Sequence, residues 1–399
     1  MFHLIFALPS LYVLTRFIWP LPWTLGVKVA LAVIVLVASQ YHLWSRLSSG
    51  SVFSPEFPRA LVLLFNWAFG AILLLALLQI ALDLAGLMAL LLRGGGATPD
   101  SVRYAAAIAA MLLSALGVYQ ATRVPPLKDV AIVIPGLPPQ FDGYKLLQLT
   151  DLHISRLFPK AWTQALVERS NALGVDLIVV TGDLIDGSFD ARRADVEPLR
   201  DLRARDGVWV IPGNHEYFFG YETWMRHYAS MGMRVLANDH TVLTRGGGAL
   251  VLAGVTDLSV PGTRYPVPDL PAALAGAPSD VPIVLLDHQP RNAAQAAARG
   301  VALQLSGHTH GGMILGLDRL VARSNGGFVS GRYTLGAMTL YVNNGTALWP
   351  GFALRLGRPA ELTRITLRGE PPQISHREQP ATASAQRPPA TVASLMTSR

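Results

Sequence analysis

The 399-residue chain carries 33 Lys and Arg against 26 Asp and Glu, a formal charge of +7, and no cysteine. The absence of thiols excludes a disulfide framework and a thiolate metal site. The positive charge forms no Lys/Arg run and no basic stripe interleaved with aromatics, so nucleic acid is not an expected partner. Membrane flanks and a surface suited to anionic headgroups or phosphate account for it better.

In chain order, residues 1–122 are nearly all Leu, Ala, Val, Ile and aromatics. Four apolar stretches, 2–19, 23–39, 60–92 and 102–122, approach or exceed the roughly 18 residues of a membrane-spanning candidate. They continue long after the first, which argues against a cleaved signal peptide. Lys28 is close enough to the start of the second to snorkel. The third is too long for a perpendicular helix, so it is expected to tilt or to lie partly in the interface. Asn66 and Asp83 fall inside it. An ionisable group there is a candidate for transport or sensing, set against the plainer reading that Asp83 reaches water near a helix end. No repeated spans and no matched broken helices support a transporter. An even number of spans would place the N-terminus, loop 40–59 and everything after residue 122 on one side. Arg46, Arg59, Arg123 and Lys128 on that side balance Arg16, Lys28, Arg93 and Arg103 on the other, so the positive-inside rule leaves orientation open.

Residues 123–145, with two Pro-Pro pairs, read as a linker, a strand near 130–134 and a turn. Apolar runs at 145–150, 176–181, 208–212, 281–287 and 302–306 then read as buried strands. Polar signatures follow them: Asp151-Leu-His153, Gly182-Asp183, Gly213-Asn214-His215-Glu216, His288 and Gly307-His308-Thr-His310. Helices are expected at 160–173, 196–204, 221–231 and 292–299, and a strand pair at 235–243 and 249–255 joined through Gly246-Gly-Gly248. From about residue 369 the composition turns to Pro, Ala, Ser, Thr and Gln, and 370–399 are expected to be disordered. The expected organisation is a transmembrane helical region over 1–122, a catalytic domain over 123–369, and that tail.

A lone His at a strand end is usually a hydrogen-bonded structural residue. Five of the ten histidines in these signatures are another matter, because buried carboxylates and imidazoles cost energy unless something pairs with them. Asp, Asn and His without Cys suit divalent Mn, Fe, Zn, Co or Ni. Two such cations, roughly 3.5–4 Å apart, need a bridging carboxylate and can hold a hydroxide that attacks phosphorus in line. Asp151, His153, Asp183, Asn214, His288, His308 and His310 supply the donors for two. His215 is left to protonate a leaving alkoxide, with Asp186 placed to orient its imidazole. The aromatic cluster Tyr217, Phe218, Phe219, Tyr221 and Trp224 could wall the pocket or pack a helix beneath it. Arg323, Arg332 and Arg355 are candidates to hold phosphate, and none is singled out. His227 and His240 read as packing or surface residues.

The order Asp-x-His, Gly-Asp-x-x-Asp, Gly-Asn-His-Glu, His, Gly-His-Thr-His resembles the calcineurin-like metallophosphoesterase superfamily over about residues 124–369. The resemblance implies an α/β fold, a four-layer α/β/β/α sandwich around two mixed sheets, preceded here by an all-α transmembrane region of about four helices. It implies one metal on Asp151, His153, Asp183 and His310, and a second on Asp183, Asn214, His288 and His308, with Asp183 as the bridge. It makes His215 the catalytic imidazole and Asp186 its partner. Within the superfamily, Gly213-Asn-His-Glu-Tyr217, Leu286-Asp-His288-Gln-Pro290 and Gly307-His-Thr-His-Gly-Gly312 look most like the membrane-anchored YaeI/YkuE-like phosphodiesterases. That group implies an integral protein of a bacterial inner membrane acting on a diester or pyrophosphate. Met313 stands where many members carry Gln, and 341–346 match the late strand and turn only loosely. Both departures bear on substrate contacts rather than on metal ligation.

The expected function is two-metal hydrolysis of a phosphate ester, with the tether suggesting a lipid-linked substrate such as UDP-2,3-diacylglucosamine or a phospholipid. The alternatives are a phosphatase for nucleotides or phosphoproteins and, in another class, a membrane sensor or transporter with a fused metal-binding domain. A binding-only domain would have lost ligands, whereas all seven and His215 are present. Oligomeric state is not legible.

Overall fold

The computed structural model describes residues 2–96, 98–260 and 264–370. The expected disordered tail lies, from residue 371 on, outside the described residues. The apolar first part of the chain forms α1 (Phe2–Tyr12), α2 (Leu25–Ser39), α3 (Tyr41–Ser49), α4 (Arg59–Arg93) and α5 (Asp100–Thr122). Among the described residues α4 and α5 are long and apolar enough to cross a membrane, and α2 with α3, bent by 50°, makes a third if the pair is one span. Four apolar stretches thus become two or three candidate spans. The first stretch stays helical through Pro9 and passes into a π-helical segment at Val13–Ile18, and its described apolar helix, Ala7–Ile18, is shorter than a span.

The 35 residues of α4 would extend roughly 52 Å, well beyond a hydrocarbon core of about 30 Å. The surplus is used for docking. Val62, Asn66 and Phe69 are buried, and Val62 and Phe69 share one core with Leu348, Phe352 and Leu354 from the far end of the chain. Asn66 Nδ2 donates to Pro350 O at 2.8 Å, and its Oδ1 accepts from Ala353 N at 2.7 Å. Tyr41 Oη also donates to Pro350 O, at 2.8 Å, and Arg355 N donates to Gly117 O on α5 at 3.1 Å. Asp83 is paired as well: Tyr12 Oη, Arg16 Nε and Gln79 Nε2 donate to its carboxylate at 2.6, 2.9 and 2.8 Å. Those bonds brace the first helices against α4.

Beyond residue 126 the chain builds two six-stranded mixed sheets. The first holds β1 (Leu127–Val133), β2 (Lys145–Leu149), β3 (Leu177–Thr181), β4 (Val208–Ile211), β5 (Arg234–Val235) and β12 (Leu362–Arg368), in spatial order β1-β12-β2-β3-β4-β5. The second holds β6 (Asp239–Arg245), β7 (Gly248–Gly254), β8 (Ile283–Leu286), β9 (Leu303–Ser306), β10 (Gly331–Leu335) and β11 (Met338–Val342), in order β10-β11-β9-β8-β7-β6. Period-two alternation stacks them. Leu146, Leu177 and Val179 face Leu252, Leu286 and Leu305 between the sheets. Leu147, Leu149, Ile178 and Val180 point the other way. They meet Trp162 and Leu166 of α6 (Lys160–Asn171), Val196 of α7 (Phe189–Val196), and Trp224 of the helix that follows the third motif. The outer face of the second sheet, with Val251 and Leu285, packs on Ala273, Ala293 and Ala296. The result is the four-layer α/β/β/α sandwich.

The expected helix at 196–204 lies earlier: α7 ends at Val196 and a tighter 3-10 turn runs over Glu197–Asp201, because Pro198 cannot continue the α ladder. The expected strand pair is β6 and β7, and Gly246 and Gly247 take the left-handed φ of +54° and +85° that so tight a hairpin turn demands. Strands β2, β3 and β4 run parallel side by side, as do β8 and β9, so the signatures that follow them collect along one rim.

Asn66→Leu should lower the stability of the full-length protein by about 1–3 kcal/mol, since it leaves Ala353 N buried without an acceptor. Thermal unfolding in detergent, with limited proteolysis of residues 347–357, reads the loss; an unchanged midpoint would mean the docking bonds are incidental.

Candidate metal centre

Each signature begins where its strand stops, and the backbone there is bent against its preference. Asp151, His153, Asp183, His308 and His310 have φ of +54°, +43°, +56°, +69° and +50°. Among the described residues the other non-glycines with positive φ are Asn238 and Met313. Such conformations cost about 1–3 kcal/mol each and cluster where function requires them. The four-residue turn of the third motif opens α8 (Asn214–Phe219), which Gly220, at φ +105°, closes before α9 (Tyr221–Ser230). Glu216 locks two motifs together: its carboxylate accepts from Gly213 N at 2.7 Å, Asp183 N at 3.1 Å, Leu184 N at 2.9 Å and Tyr228 Oη at 3.2 Å. Burial, then Asp183, pushes the Glu216 pKa up to about 7.

All seven expected ligands and both expected catalytic residues come together in this pocket. Asp151 Oδ1 lies 3.6 Å from His310 Nε2 and 3.9 Å from His153 Nε2, and the two imidazole Nε2 atoms are 3.3 Å apart. Asp183 Oδ1 accepts from His215 N at 2.8 Å, which leaves Oδ2 for the pocket. That oxygen lies 3.8 Å from His153 Nε2 and 3.3 Å from His288 Nε2. Asn214 Oδ1 is 3.1 Å from His288 Nε2 and 2.9 Å from His308 Nδ1. Two donor sets therefore converge, one on Asp151, His153 and His310 and one on Asn214, His288 and His308, with Asp183 Oδ2 between them.

The donor set fits a pair of divalent cations. His288 Nδ1 donates to Thr181 O at 2.8 Å, so in the neutral ring Nε2 is a lone pair aimed at the oxygens of Asp183 and Asn214. A proton on that nitrogen or a cation among the three atoms is what relieves the repulsion. His308 is pushed down to about 3 by burial and by His288, and His310 is held well below the usual range by burial and by His153. Both are thus neutral imidazoles with lone pairs free to ligate. Asp183 stays ionised: burial opposes its charge, but His288, His215 and His153 outweigh burial.

Asp186 does more than the sequence suggests. One carboxylate oxygen accepts from His215 Nδ1 and the other from His153 Nδ1 at 3.1 Å, so one side chain orients both imidazoles. Burial works against protonation of His215, yet Asp183 and Asp186 raise it to about 9. The backbone carbonyl of Asp186 accepts from Ser54 Oγ at 3.1 Å and from Arg192 Nε at 3.1 Å. Glu56 pairs with Arg192 and with Arg156, fixing loop 50–58 beside the site.

That loop supplies a residue that no motif marks. The Phe53 ring lies 5.3 Å from His215, 5.5 Å from Phe218 and 5.5 Å from Trp349. The aromatic cluster after His215 splits between its two expected roles. Phe218 walls the site, Tyr217 stacks on Tyr221 at 4.6 Å next to Tyr265, and Trp224 is buried beneath with Tyr228. None of the three arginines reaches the donors. Arg355 is buried and spends its guanidinium on the carbonyls of His310, Asn344 and Ala347; Arg332 donates to Ala131 O; Arg323 is exposed on α12 (Asp318–Ser324).

The calcineurin-like phosphoesterase family profile matches residues 144–312, the stretch from the first motif strand to the end of the last motif. A transmembrane protein with metallophosphoesterase domain from Danio rerio is 34% identical over 272 residues, 66% of this chain and 62% of that protein. Its Bos taurus counterpart is 33% identical over 65% of this chain and 61% of its own length. The uncharacterized metallophosphoesterase YkuE of Bacillus subtilis is 30% identical over 239 residues, 58% of this chain and 82% of YkuE. The chain thus spans about three fifths of the vertebrate relatives and most of the bacterial one. The crystal structure of calcineurin-like phosphoesterase YfkN from Bacillus subtilis aligns with a TM-score of 0.36 at 13% identity, over 52% of this chain and 82% of that one. The chain belongs to the calcineurin-like metallophosphoesterase family.

Proposed function

We propose that the chain is an integral membrane phosphoesterase that hydrolyses phosphodiester or pyrophosphate bonds on a substrate presented at the bilayer, such as UDP-2,3-diacylglucosamine. Asp183 Oδ2, shared by two converging donor sets, is the observation that carries the two-metal reading. Asp151, His153, Asp183 and His310 would hold one divalent cation, and Asp183, Asn214, His288 and His308 the other, drawn from Mn, Fe, Zn, Co or Ni. When bound, the pair supplies Lewis-acid activation of water and neutralises charge on phosphoryl oxygens. His215, held through Nδ1 by Asp186, keeps Nε2 to protonate the leaving oxygen. Asp186, through its second oxygen, fixes the ring of His153 so that Nε2 faces the donor set. Phe53, Phe218 and Trp349 exclude water from one side of the pocket.

Residues 1–122 would be the membrane region and 123–369 the hydrolase domain, in the bacterial inner membrane typical of the group it resembles. The two spanning-length helices and the transmembrane relatives support the location. The preference for a diester or pyrophosphate follows from likeness to the membrane-anchored phosphodiesterases.

Purified in detergent and loaded with Mn²⁺, the protein should release the lipid phosphate from a UDP-linked diacyl sugar. Asp183→Asn should abolish that turnover and reduce bound metal, counted by mass spectrometry, because both donor sets lose a member. A variant that keeps both metals and full rate would sink the two-metal reading. His215→Gln should retain metal yet lose roughly 10²–10⁴-fold in kcat, the range for a general acid. Loss of metal together with rate would instead make His215 a structural support.

A further inference from the structure

Beside the metal centre the structure has a cavity of about 370 Å³ lined almost wholly by apolar atoms. Ile5 and Pro9 of α1 and Phe69 and Leu73 of α4 form one side. Met313, Leu317 and Val321, from the last motif and α12, form much of the other. We propose that this cavity binds an acyl chain of a phosphate-bearing lipid substrate, so that the chain is held in the groove while the phosphate lies at the metal centre. The inference rests on the proposed reading of a membrane phosphoesterase and names the feature that selects its substrate.

Three observations point to a lipid chain as the occupant. The first is level. On α4, Val62 and Asn66 are buried against the hydrolase domain, whereas Leu84, Leu87 and Leu91 are 62%, 52% and 74% exposed. Phe69 and Leu73 lie on α4 between those two groups. Leu320, in the cavity wall, is 57% exposed, as apolar residues are where a protein meets the bilayer.

The second is continuity. The cavity wall includes Gly312, two residues after the expected ligand His310, so their Cα atoms are within about 7 Å. A second path runs through ring contacts, from His215 to Phe53 at 5.3 Å and from Phe53 to Trp349 at 5.5 Å, and Trp349 lines the cavity. Packed aromatic rings thus link the cavity wall to His215. The third is chemistry: the lining offers no charged side chain and almost no polar surface, which rules out a headgroup or nucleotide there. Met313 contributes a flexible apolar side chain to this wall.

The test uses the full-length protein in detergent with Mn²⁺, a soluble aryl phosphodiester, and long- and short-chain forms of one UDP-linked diacyl sugar. For the wild type, KM should rise about fourfold per methylene removed from the chain, the transfer value for a buried CH₂. Leu73→Trp and Leu317→Trp, which fill the groove, should lower the ratio of lipid to soluble-diester kcat/KM by about tenfold. An unchanged ratio in both variants overturns the proposal. Should the wild type cleave the soluble diester but no lipid, the substrate reading fails and the cavity is judged separately, by a lysophosphatidate with a photoactivatable diazirine at its chain end. Label on residues 313–321 and 69–73 supports a chain site; label spread over the outer faces of α2 and α5 overturns it. The cross-linking arm uses the wild type, so it holds even if a tryptophan variant fails to fold.

Discussion

Three carboxylates, Asp151, Asp183 and Asp186, lie in one pocket with at most 1% of their surface exposed, and the rest of the site answers that constraint. An unpaired ionised carboxylate would not survive such burial. Each of the three divides its oxygens between holding the fold and facing the pocket. Asp183 gives Oδ1 to the backbone of His215 and keeps Oδ2 for the two donor sets. Asp151 accepts from His308 N and from Thr150 Oγ1 while Oδ1 also faces His153 and His310. Asp186 gives one oxygen to each of two imidazoles. The motif turns must therefore be strained and mutually anchored, which explains the run of positive φ angles and the placement of Glu216 across two turns. Its backbone bonds hold the first sheet's motifs in register before any ion arrives.

The helical region is usually read in such a chain as a tether. Here it is packed into the sandwich. Its hydrophobic core is continuous with that of the first sheet, and Asn66 and Tyr41 are satisfied by the backbone of residues 350–353. The short loop between α3 and α4 then places Phe53 against His215 and Ser54 on the carbonyl of Asp186. The sandwich cut free at residue 123 would lose Phe53 from beside His215 and expose Val62's partners to water. The long third apolar stretch, which on length alone reads as a tilted span, also serves as a docking element, with Val62, Asn66 and Phe69 buried and Leu84, Leu87 and Leu91 exposed.

What the sequence discloses depends on range. The donors were legible because each follows its own strand by two to four residues, and hydrophobic periodicity locates strands well. The sandwich was legible through the order of motifs. Phe53 and Trp349 were not, since nothing local marks an aromatic in a loop some 160 residues before His215 as a neighbour of that imidazole. Asn66 read only as a polar group within a span, and apart from Tyr41 Oη its partners are main-chain atoms, which leave no trace in a sequence. The second imidazole held by Asp186 was hidden for a related reason: spacing to His215 suggested one partner, while the isolated bridge between Ile154 and Ile185 brings His153 to its other oxygen. The arginines failed in the opposite sense. Arg355 was one of three candidates to hold phosphate by its place after the last motif, but buried carbonyls at that turn need a donor, and the guanidinium is spent there.

The aromatics near the third motif form two unlike groups. In one, Tyr217 stacks on Tyr221 at 4.6 Å and Tyr265 lies tilted against both, at 5.8 and 4.7 Å. In the other, Phe53 and Phe218 stack and Trp349 continues toward α4 and the apolar cavity. Stacked tyrosines accept a ring or a sugar while offering hydrogen bonds, and phenylalanines offer only apolar surface. The helical region supplies the apolar half of that asymmetry: Phe53 comes from the loop between α3 and α4, and Phe69 and Leu73 of α4 line the cavity that Trp349 reaches.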